Sequence, residues 1–282
     1  MSLPTVGLLH PGAMGSSVGA AVRAGGAEVI WASEGRSAAT CERAAGDGLT
    51  EVATLAGLVE VSDIVISVCP PHSAQDVASS VAALGFGGTY ADLNAIAPAS
   101  SREVAGIIET GGGRYVDGGI VGPPARSPGT TRLYLSGPGA ESVAALFDGS
   151  LLGVVSLDGG LGAASALKMA YAAWTKGSAA LLMAVRALAA AEGIEQDLVR
   201  EWDLSQPGLS DRSADVATRT PEKAWRFSGE MREIAATFAA AGLPDGFHRA
   251  AEAVYEGLSP LRDREHSFEE ALLALCETEG DN

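Results

Sequence analysis

Cysteine and histidine are scarce in this sequence, and their spacing excludes a metal framework. The three cysteines, Cys41, Cys69 and Cys276, are far apart and form no CxxC pair. Such usage is typical of a reducing compartment and offers no zinc site. The four histidines show no metal-ligand spacing either. We therefore predict that the protein binds no metal.

Positive charge is also in short supply. Lysine and arginine number 19 against 35 acidic residues, which gives a formal net charge of −16 at pH 7. Such a surface repels polyanions, so we expect neither nucleic acid nor an anionic membrane surface as a partner. An anionic substrate would have to be attracted by a local cluster of positive charge.

Long uncharged hydrophobic runs are missing too. Lys168, Lys176 and Arg186 interrupt the most apolar stretch, residues 162–192, whereas a membrane span needs about 20 apolar residues. The chain begins on a strand-like run, without the basic and apolar segments of a secretory signal. We therefore expect no membrane span and a cytoplasmic location.

Short apolar runs alternate with helical segments in the first part of the chain. These runs lack the alternation of a half-exposed strand, which indicates a mostly parallel sheet covered on both faces. The predicted strands are residues 6–10, 27–32, 63–69, 88–94, 114–121, 132–137 and 151–157. The pattern predicts an α/β fold with a Rossmann-type doubly wound, mostly parallel sheet.

Gly159 and Gly160 break this pattern, and everything after them is helical in character. Residues 162–192 are rich in alanine and leucine and apolar on nearly every face, which predicts a long, largely buried helix between two domains. We place a dinucleotide-binding domain at residues 1–160 and an all-α domain for substrate and dimerisation at 161–282. The apolar helix suggests a homodimer, although burial within one chain would also satisfy it.

A glycine-containing turn follows the first strand and opens a helix. In this turn, His10-Pro11-Gly12-Ala13-Met14-Gly15, His10 replaces the first glycine of the usual dinucleotide fingerprint. Glycines let the backbone approach a pyrophosphate, and the helix N-terminus offers unpaired N–H groups. An ordinary strand-to-helix turn is the alternative, but the βαβ context favours a nucleotide site.

The position that contacts the adenosine ribose lies about twenty residues further on. The segment 33–37, Ser-Glu-Gly-Arg-Ser, contains features of both NAD and NADP sites. We predict NADP, with NAD possible, because Ser33, Arg36 and Ser37 can surround a 2′-phosphate if Glu34 points outward. Arg36 could instead be a solvated loop charge.

The motifs GLLHPGAMG, CPP, DLNAIAP, DGGIVGPP and GLGAASALK occur in this order along the chain. In this order they resemble the β-hydroxyacid dehydrogenase superfamily, which includes 6-phosphogluconate dehydrogenase and the imine reductases. The resemblance covers about residues 5–190 and implies a nicotinamide-dependent oxidoreductase. It implies contacts to the pyrophosphate, to the cofactor cleft and to the nicotinamide from several residues. These residues are Gly12, Ala13, Met14, Cys69, Pro70, Pro71 and Asn94.

The resemblance also assigns the substrate side of the site. It implies that Gly122 and Pro123 lie in the substrate loop and that Lys168 is the catalytic lysine. Tyr171 lies one helical turn on and could share the catalytic site with Lys168, or be partly structural. This chain departs from the family pattern, because a serine of the substrate loop is replaced by Val121. Two further family residues, an asparagine and a later lysine, are replaced by Ala172 and Glu230. The cofactor machinery is thus better retained than the substrate machinery.

Lys168 can act as an acid or a base in hydride transfer. An ammonium can stabilise the negative charge that develops on a carbonyl oxygen and can donate a proton to it. The alternative is a lysine whose charge lies at a domain interface. His248 is a candidate for contacting substrate, as are His72, Arg126 and Arg132, although each could equally be a surface or packing residue.

Three functions remain open. The first is NADP-dependent hydride transfer between the nicotinamide and a small hydroxy acid or its carbonyl counterpart. The second is imine reduction on the same fold, for which the absence of the family's serine and asparagine at Val121 and Ala172 would be less damaging. The third is a dinucleotide-binding sensor with little turnover, which His10, Val121 and Ala172 keep open.

Overall fold

A computed structural model describes residues 3–262 and 264–276 of the 282-residue chain. The chain divides into two compact units, Met1–Met169 and Ala170–Asn282. The division falls inside the long helix, past the boundary near residue 160 that the sequence suggests.

The first unit contains an eight-stranded sheet. Its neighbouring strands are parallel except for one antiparallel pair, the sixth and seventh. The strands are β1 (Thr5–Leu9), β2 (Glu28–Ala32), β3 (Thr50–Val52), β4 (Ile64–Ser67), β5 (Thr89–Asp92), β6 (Arg114–Val121), β7 (Arg132–Ser136) and β8 (Gly153–Ser156). Their spatial order is β3-β2-β1-β4-β5-β6-β7-β8. The predicted doubly wound, mostly parallel sheet is confirmed.

Helices connect the strands of this unit. They are α1 (Ala13–Ala24), α2 (Ala38–Gly46), α3 (Leu55–Val61), α4 (Ala74–Ala83), α5 (Pro98–Thr110) and α6 (Ala140–Ala144), followed by the start of α7 (Ala163–Ala191). Successive residues of a strand enter different cores, because side chains alternate across a sheet. Leu8 packs in one cluster and Leu9 in the other. Both faces are therefore covered, which explains why the strands show no polar alternation.

The strand order reverses between β1 and β4, which are neighbours although β2 and β3 lie between them in sequence. In an open parallel sheet, ligands bind at the carboxyl ends of the strands beside such a switch point. The segments that follow β1, β4 and β5 meet at this edge. They begin at His10, Val68 and Leu93.

The second unit is helical throughout its described residues. It contains the remainder of α7 and then α8 (Glu195–Ser205), α9 (Leu209–Arg219), α10 (Pro221–Ala240), α11 (Gly246–Leu258) and α12 (Phe268–Cys276). The expected all-α character is confirmed. Helix α7 matches the predicted helix of residues 162–192 to within one residue at each end.

Part of α7 is more exposed than its composition suggests. Trp174, Leu181 and Leu188, spaced seven residues apart, are 68%, 50% and 61% exposed. A seven-residue spacing returns to nearly the same side of a helix, so the three side chains form one apolar stripe. Among the described residues, no helix combines the length and hydropathy that crossing a membrane requires.

Candidate active site at the carboxyl edge of the sheet

The turn after β1 leads directly into α1, with Gly12 as the residue before the helix. Within the described part of the chain, no side chain caps this helix N-terminus, and its first turn contains no acidic residue. The first N–H groups of a helix have no partner within the helix and carry positive potential. A Cβ at Gly15 would lie 2.4 Å from the His10 carbonyl oxygen, so this turn requires glycine there. Gly12, Ala13 and Met14 thus form a suitable pyrophosphate cradle.

His10 has an unusual backbone conformation. Its φ angle is 65°, and in the described part of the chain it is the one non-glycine residue with positive φ. Its Nδ1 atom is buried and has no hydrogen-bond partner among the described residues. Burial and, to a smaller extent, the Arg36 guanidinium lower the pKa of the His10 imidazole to about 4. The ring is therefore neutral at physiological pH.

A cavity of about 240 Å³ lies beside His10 at the ends of β1 and β2. Its walls combine apolar side chains with Glu34 and Arg36 from the loop after β2. Ser33 and Ser37, the other predicted phosphate contacts, have local roles. The Ser33 hydroxyl donates to the Val52 carbonyl over 3.5 Å, and the Ser37 hydroxyl accepts from the Thr40 N–H at the start of α2.

The segments after β4 and β5 are tied together by Asn94. The Asn94 side-chain oxygen accepts from the Cys69 N–H at 2.6 Å, and its amide nitrogen donates to the Ser67 hydroxyl at 3.1 Å. Asn94 is buried, so its side chain fixes the segment that carries Cys69, Pro70 and Pro71. Burial raises the pKa of the Cys69 thiol to about 12, which keeps it protonated.

A row of buried polar residues crosses the sheet below this edge. Ser67 on β4 pairs with Asp92 on β5, Asp92 with Asp117 on β6, and Asp117 with Ser136 on β7. The Asp92 carboxylate accepts from the Asn94 N–H at 2.9 Å, but its second oxygen has no partner among the described residues. Burial, with the Asp117 carboxylate contributing, raises the pKa of Asp92 to about 7.

Asp117 anchors the start of α7 to the sheet. Its carboxylate accepts from the Ser165 N–H at 3.0 Å and from the Ser165 hydroxyl at 2.6 Å. Ser101 and Ser136 donate to the same carboxylate at 2.8 and 2.9 Å. A carboxylate at a helix N-terminus is favoured by the helix dipole. The first turn of α7 is therefore held on β6.

Lys168 lies one turn further along α7, against Gly119 of β6. A Cβ at Gly119 would be 2.9 Å from the Lys168 Cβ and 2.8 Å from the Ala164 carbonyl oxygen, so only glycine permits this approach. The order of contacts, Asp117 with Ser165 and Gly119 with Lys168, shows that α7 runs towards the carboxyl end of β6. Lys168 is half-buried there. It thus lies at the same sheet edge as the segments after β1, β4 and β5.

The predicted substrate loop follows β6 and folds onto itself. Gly122 has a φ of 122°, and a Cβ there would lie 2.3 Å from the Thr130 carbonyl oxygen. The Pro123 carbonyl accepts from the Thr131 hydroxyl at 2.6 Å. Arg126 forms a two-pronged ion pair with Asp47 at 2.6 and 2.8 Å. The carboxylate that Arg126 binds in this structure thus belongs to the protein.

The remaining candidates lie in the second unit. Tyr171 is 46% exposed on α7. The His248 ring is buried, packs 4.2 Å from the Phe238 ring, and has its pKa lowered by burial. Glu230 forms an ion pair with Lys176. Glu230, at the position where the family pattern has a lysine, therefore binds a lysine from α7.

Sequence reasoning missed the residues that position this site. Asp92, Asp117 and Ser165 were not singled out, although each aspartate ends an apolar run or lies inside one. Arg43, which donates to the Pro11 carbonyl in the cofactor turn at 3.1 Å, was also missed. An acidic residue in an otherwise apolar strand was the available signal, because buried carboxylates require partners. In the described part of the chain, no group of three or more potential ligands could hold a metal ion.

Comparison with known proteins identifies the family of this architecture. The family model for the NAD-binding domain of 6-phosphogluconate dehydrogenase matches residues 5–146, about half of the chain. The chain belongs to this family. A second model, DUF1932, described as a domain of unknown function, matches residues 189–258. The predicted membership of the β-hydroxyacid dehydrogenase superfamily is thereby confirmed, which makes the protein a dehydrogenase or reductase with a dinucleotide-binding domain.

Two relatives are similar to this chain in sequence. A 28.5 kDa protein of Methanothermus fervidus is 30% identical over 172 residues, which cover 61% of this chain and 66% of the relative. The solved structure of MTH1747, a conserved protein described as structurally similar to 3-hydroxyacid dehydrogenases, is 26% identical. It covers 96% of this chain and 99% of its own, with a TM-score of 0.67.

Two more distant structures share the fold. Mycobacterium tuberculosis 3-hydroxyisobutyrate dehydrogenase is 17% identical with a TM-score of 0.72, covering 97% of this chain and 99% of its own. The reductive aminase of Aspergillus terreus, solved with NADPH and ethyl levulinate, is 18% identical with a TM-score of 0.58. It covers 96% of this chain and 99% of its own.

Proposed function

We propose that the protein is an NADP-dependent oxidoreductase that moves a hydride between the nicotinamide and a small hydroxy acid or its carbonyl counterpart. The observation that carries this proposal is the position of Lys168. Helix α7 brings this lysine against Gly119 at the carboxyl edge of the sheet, where the segments after β1, β4 and β5 also begin. Lysine 168 thus shares an edge with every predicted contact to the pyrophosphate and nicotinamide.

The cofactor supplies or accepts the hydride, and the protein has to bind it, orient the substrate and move one proton. The uncapped N-terminus of α1 suits the pyrophosphate. Arg36, together with Ser33 and Ser37, favours a 2′-phosphate and therefore NADP, on condition that Glu34, which also lines the cavity, turns outward. Cys69, Pro70 and Pro71 would line the cleft at the nicotinamide, held there by Asn94.

Lys168 would manage the proton. As an ammonium it stabilises the negative charge on the carbonyl oxygen during reduction and donates a proton to it, and as a neutral amine it removes that proton during oxidation. The chain has only three lysines. Lys176 is paired with Glu230, and Lys223 is exposed on α10. Tyr171 is the proposed second polar group beside Lys168, with Gly122, Pro123 and His248 as further substrate contacts.

Imine reduction is the second candidate, and the apolar substitutions favour it. Val121 and Ala172, which stand where the family has serine and asparagine, are both buried. Neither side chain can donate a hydrogen bond to a hydroxyl or carboxylate. A substrate with fewer polar groups would therefore lose less binding free energy at this site. The fold resemblance to the reductive aminase is compatible with this alternative.

A substrate panel with matched variants tests the function. NADPH oxidation should be followed with small keto acids, aldehydes and cyclic imines, and NADP reduction with small hydroxy acids. We expect Lys168→Ala to lower turnover by at least about a hundredfold, with Kd for NADPH within twofold of wild type. Lys223→Ala, the exposed control, should leave both unchanged.

Each other outcome has a definite meaning. Turnover of imines alone would favour the imine reductase. Tight NADPH binding without turnover of any substrate would favour the sensor, and full activity of Lys168→Ala would remove this lysine from the mechanism.

A homodimer through α7 is part of the proposal. The exposed stripe of Trp174, Leu181 and Leu188 offers an apolar helix face that a second copy would cover. We expect sedimentation equilibrium to give a dimer for the wild type and a monomer for Leu181→Asp. Leu204→Asp, at an 81% exposed leucine on α8, should remain dimeric. A monomeric wild type would contradict this part.

A further inference from the structure

We propose that His10 is a proton-linked ligand of the ribose 2′-phosphate, acting with Arg36 to select NADP over NAD. This role rests on the proposed NADP dependence and extends it to a residue outside the usual recognition loop. Its basis is the location of the imidazole, the conformation of its backbone and the charges that surround it.

The location is the cavity at the carboxyl ends of β1 and β2. Glu34 and Arg36 are the charged residues that line it, both from the loop after β2. The helices α3 and α4 contribute uncharged side chains, Leu55, Val77 and Ser80. Arg43 is a further cation near this turn, but its guanidinium donates to the Pro11 carbonyl. An anion entering here would thus meet His10 and Arg36, with the Glu34 carboxylate opposing it unless that side chain turns away.

The backbone conformation of His10 is costly. Left-handed geometry places the Cβ of an L-residue close to the following carbonyl, which glycine avoids because it has no Cβ. The position is the one at which dinucleotide-binding turns usually have glycine. Such strain tends to be kept where a side chain has a function, and here it accompanies a side chain that lines the cavity.

One nitrogen of the imidazole lacks a partner among the described residues. Its Nδ1 atom is buried and, within the described residues, makes no hydrogen bond. A buried polar atom without a partner is costly, so a ligand oxygen at this place would remove that cost. Backbone strain and an unsatisfied nitrogen therefore occur in one residue at the mouth of the proposed nucleotide site.

Charge decides which ligand fits best. Burial and Arg36 keep the imidazole neutral in the empty protein. A phosphate monoester carries about −1.5 to −2 charges at neutral pH, which offsets the effect of Arg36 and favours the imidazolium. Binding of NADPH would then be accompanied by proton uptake at His10, and a charge-assisted hydrogen bond would form. The 2′-hydroxyl of NADH provides no such charge.

Binding measurements on three proteins test this role. Isothermal titration of NADPH and NADH at about pH 6 and 8.5, in two buffers of different ionisation enthalpy, gives Kd and the protons taken up. The variants are His10→Gly, which removes the backbone strain, and His10→Asn, which tolerates positive φ and cannot be protonated. Both are expected to fold, which thermal denaturation would verify.

For the wild type we expect more proton uptake with NADPH than with NADH. For His10→Gly we expect the Kd for NADPH at pH 6 to rise at least about tenfold. Proton uptake on NADPH binding should fall to that of the 2′-phosphate itself. The Kd for NADH should stay within twofold of the wild type. His10→Asn should lose the uptake as well, and part of the affinity.

Two contrary outcomes are distinguishable. If the wild type prefers NADPH and His10→Gly retains both this preference and the proton uptake, the role of His10 is wrong while the NADP dependence stands. If the wild type binds NADH as tightly as NADPH, both the NADP preference and the role of His10 are refuted.

Discussion

The buried carboxyl of Asp92 makes a quantitative prediction about how stability depends on pH. Burial raises the pKa of this group from its ordinary value of 3.8 to about 7 in the folded protein. In the unfolded chain the pKa returns to about 3.9. Between these two pH values the folded state binds more protons than the unfolded state. The contribution of Asp92 to the free energy of unfolding is therefore fully present below about pH 4 and is lost as the pH rises to about 7.

The magnitude follows from the difference of about 3 pKa units, each of which is worth about 1.4 kcal/mol. The total loss is about 4 kcal/mol, of which about 2–3 kcal/mol falls between pH 5 and 8. Asp92→Asn keeps an oxygen to accept from the Asn94 N–H and cannot ionise. The variant should therefore gain stability relative to the wild type as the pH rises.

Urea denaturation at half-unit steps from about pH 5 to 8 measures this difference. Any change in the free energy of unfolding that comes from burying the new amide is a constant amount. This constant does not affect the test, because the test compares how the difference between variant and wild type changes with pH. Asp148→Asn, at an exposed aspartate before β8, serves as the control and should stay parallel to the wild type. A difference between Asp92→Asn and wild type that does not change with pH would refute the reasoning.

Two further predictions concern the same edge of the sheet. Gly119→Ala places a methyl group 2.8 Å from the Ala164 carbonyl and 2.9 Å from the Lys168 Cβ, so α7 must move and kcat should fall by about tenfold or more. Gly106→Ala, where nothing lies within 4 Å, is its control in steady-state assays, and equal kcat values would contradict the proposed position of Lys168. The Cys69 thiol, with its pKa raised to about 12, should react with iodoacetamide at pH 8 far more slowly than the exposed Cys276. Peptide mass spectrometry measures both rates, and faster labelling of Cys69 would be inconsistent with its burial.

The sequence predicts most of the fold because the strands of a covered parallel sheet are continuous apolar runs. All seven predicted strands are present. The missing strand, β3, has only three residues and contains one strongly apolar side chain, Val52, so no hydrophobic run marks it. Helix α9 likewise has no strong apolar pattern, since its buried residues are the small Ser213 and Ala217.

Candidate residues for the site can be proposed from sequence where a single local segment contains them. The turn from His10 to Gly15 and the loop from Ser33 to Ser37 can be recognised from spacing alone. The pairing between strands cannot be recognised from local spacing, so the alignment of Asp92 with Asp117 was not predicted. The bond between Asp117 and Ser165 joins residues 48 positions apart, and nothing local to either residue reveals it.

Polar residues help to position α7, whereas two residues predicted on the substrate side are apolar. Asp117, Ser165 and Gly119 fix the start of α7 on the sheet through buried hydrogen bonds and close backbone contact. Val121 and Ala172, by contrast, are apolar where the family has hydrogen-bonding side chains. A protein that only sensed the cofactor would not require a lysine held at this place by a buried carboxylate, which is costly unless fully bonded. We therefore infer that the position of Lys168 suits hydride transfer, and that comparing hydroxy acids with cyclic imines decides how polar a substrate the apolar Val121 and Ala172 admit.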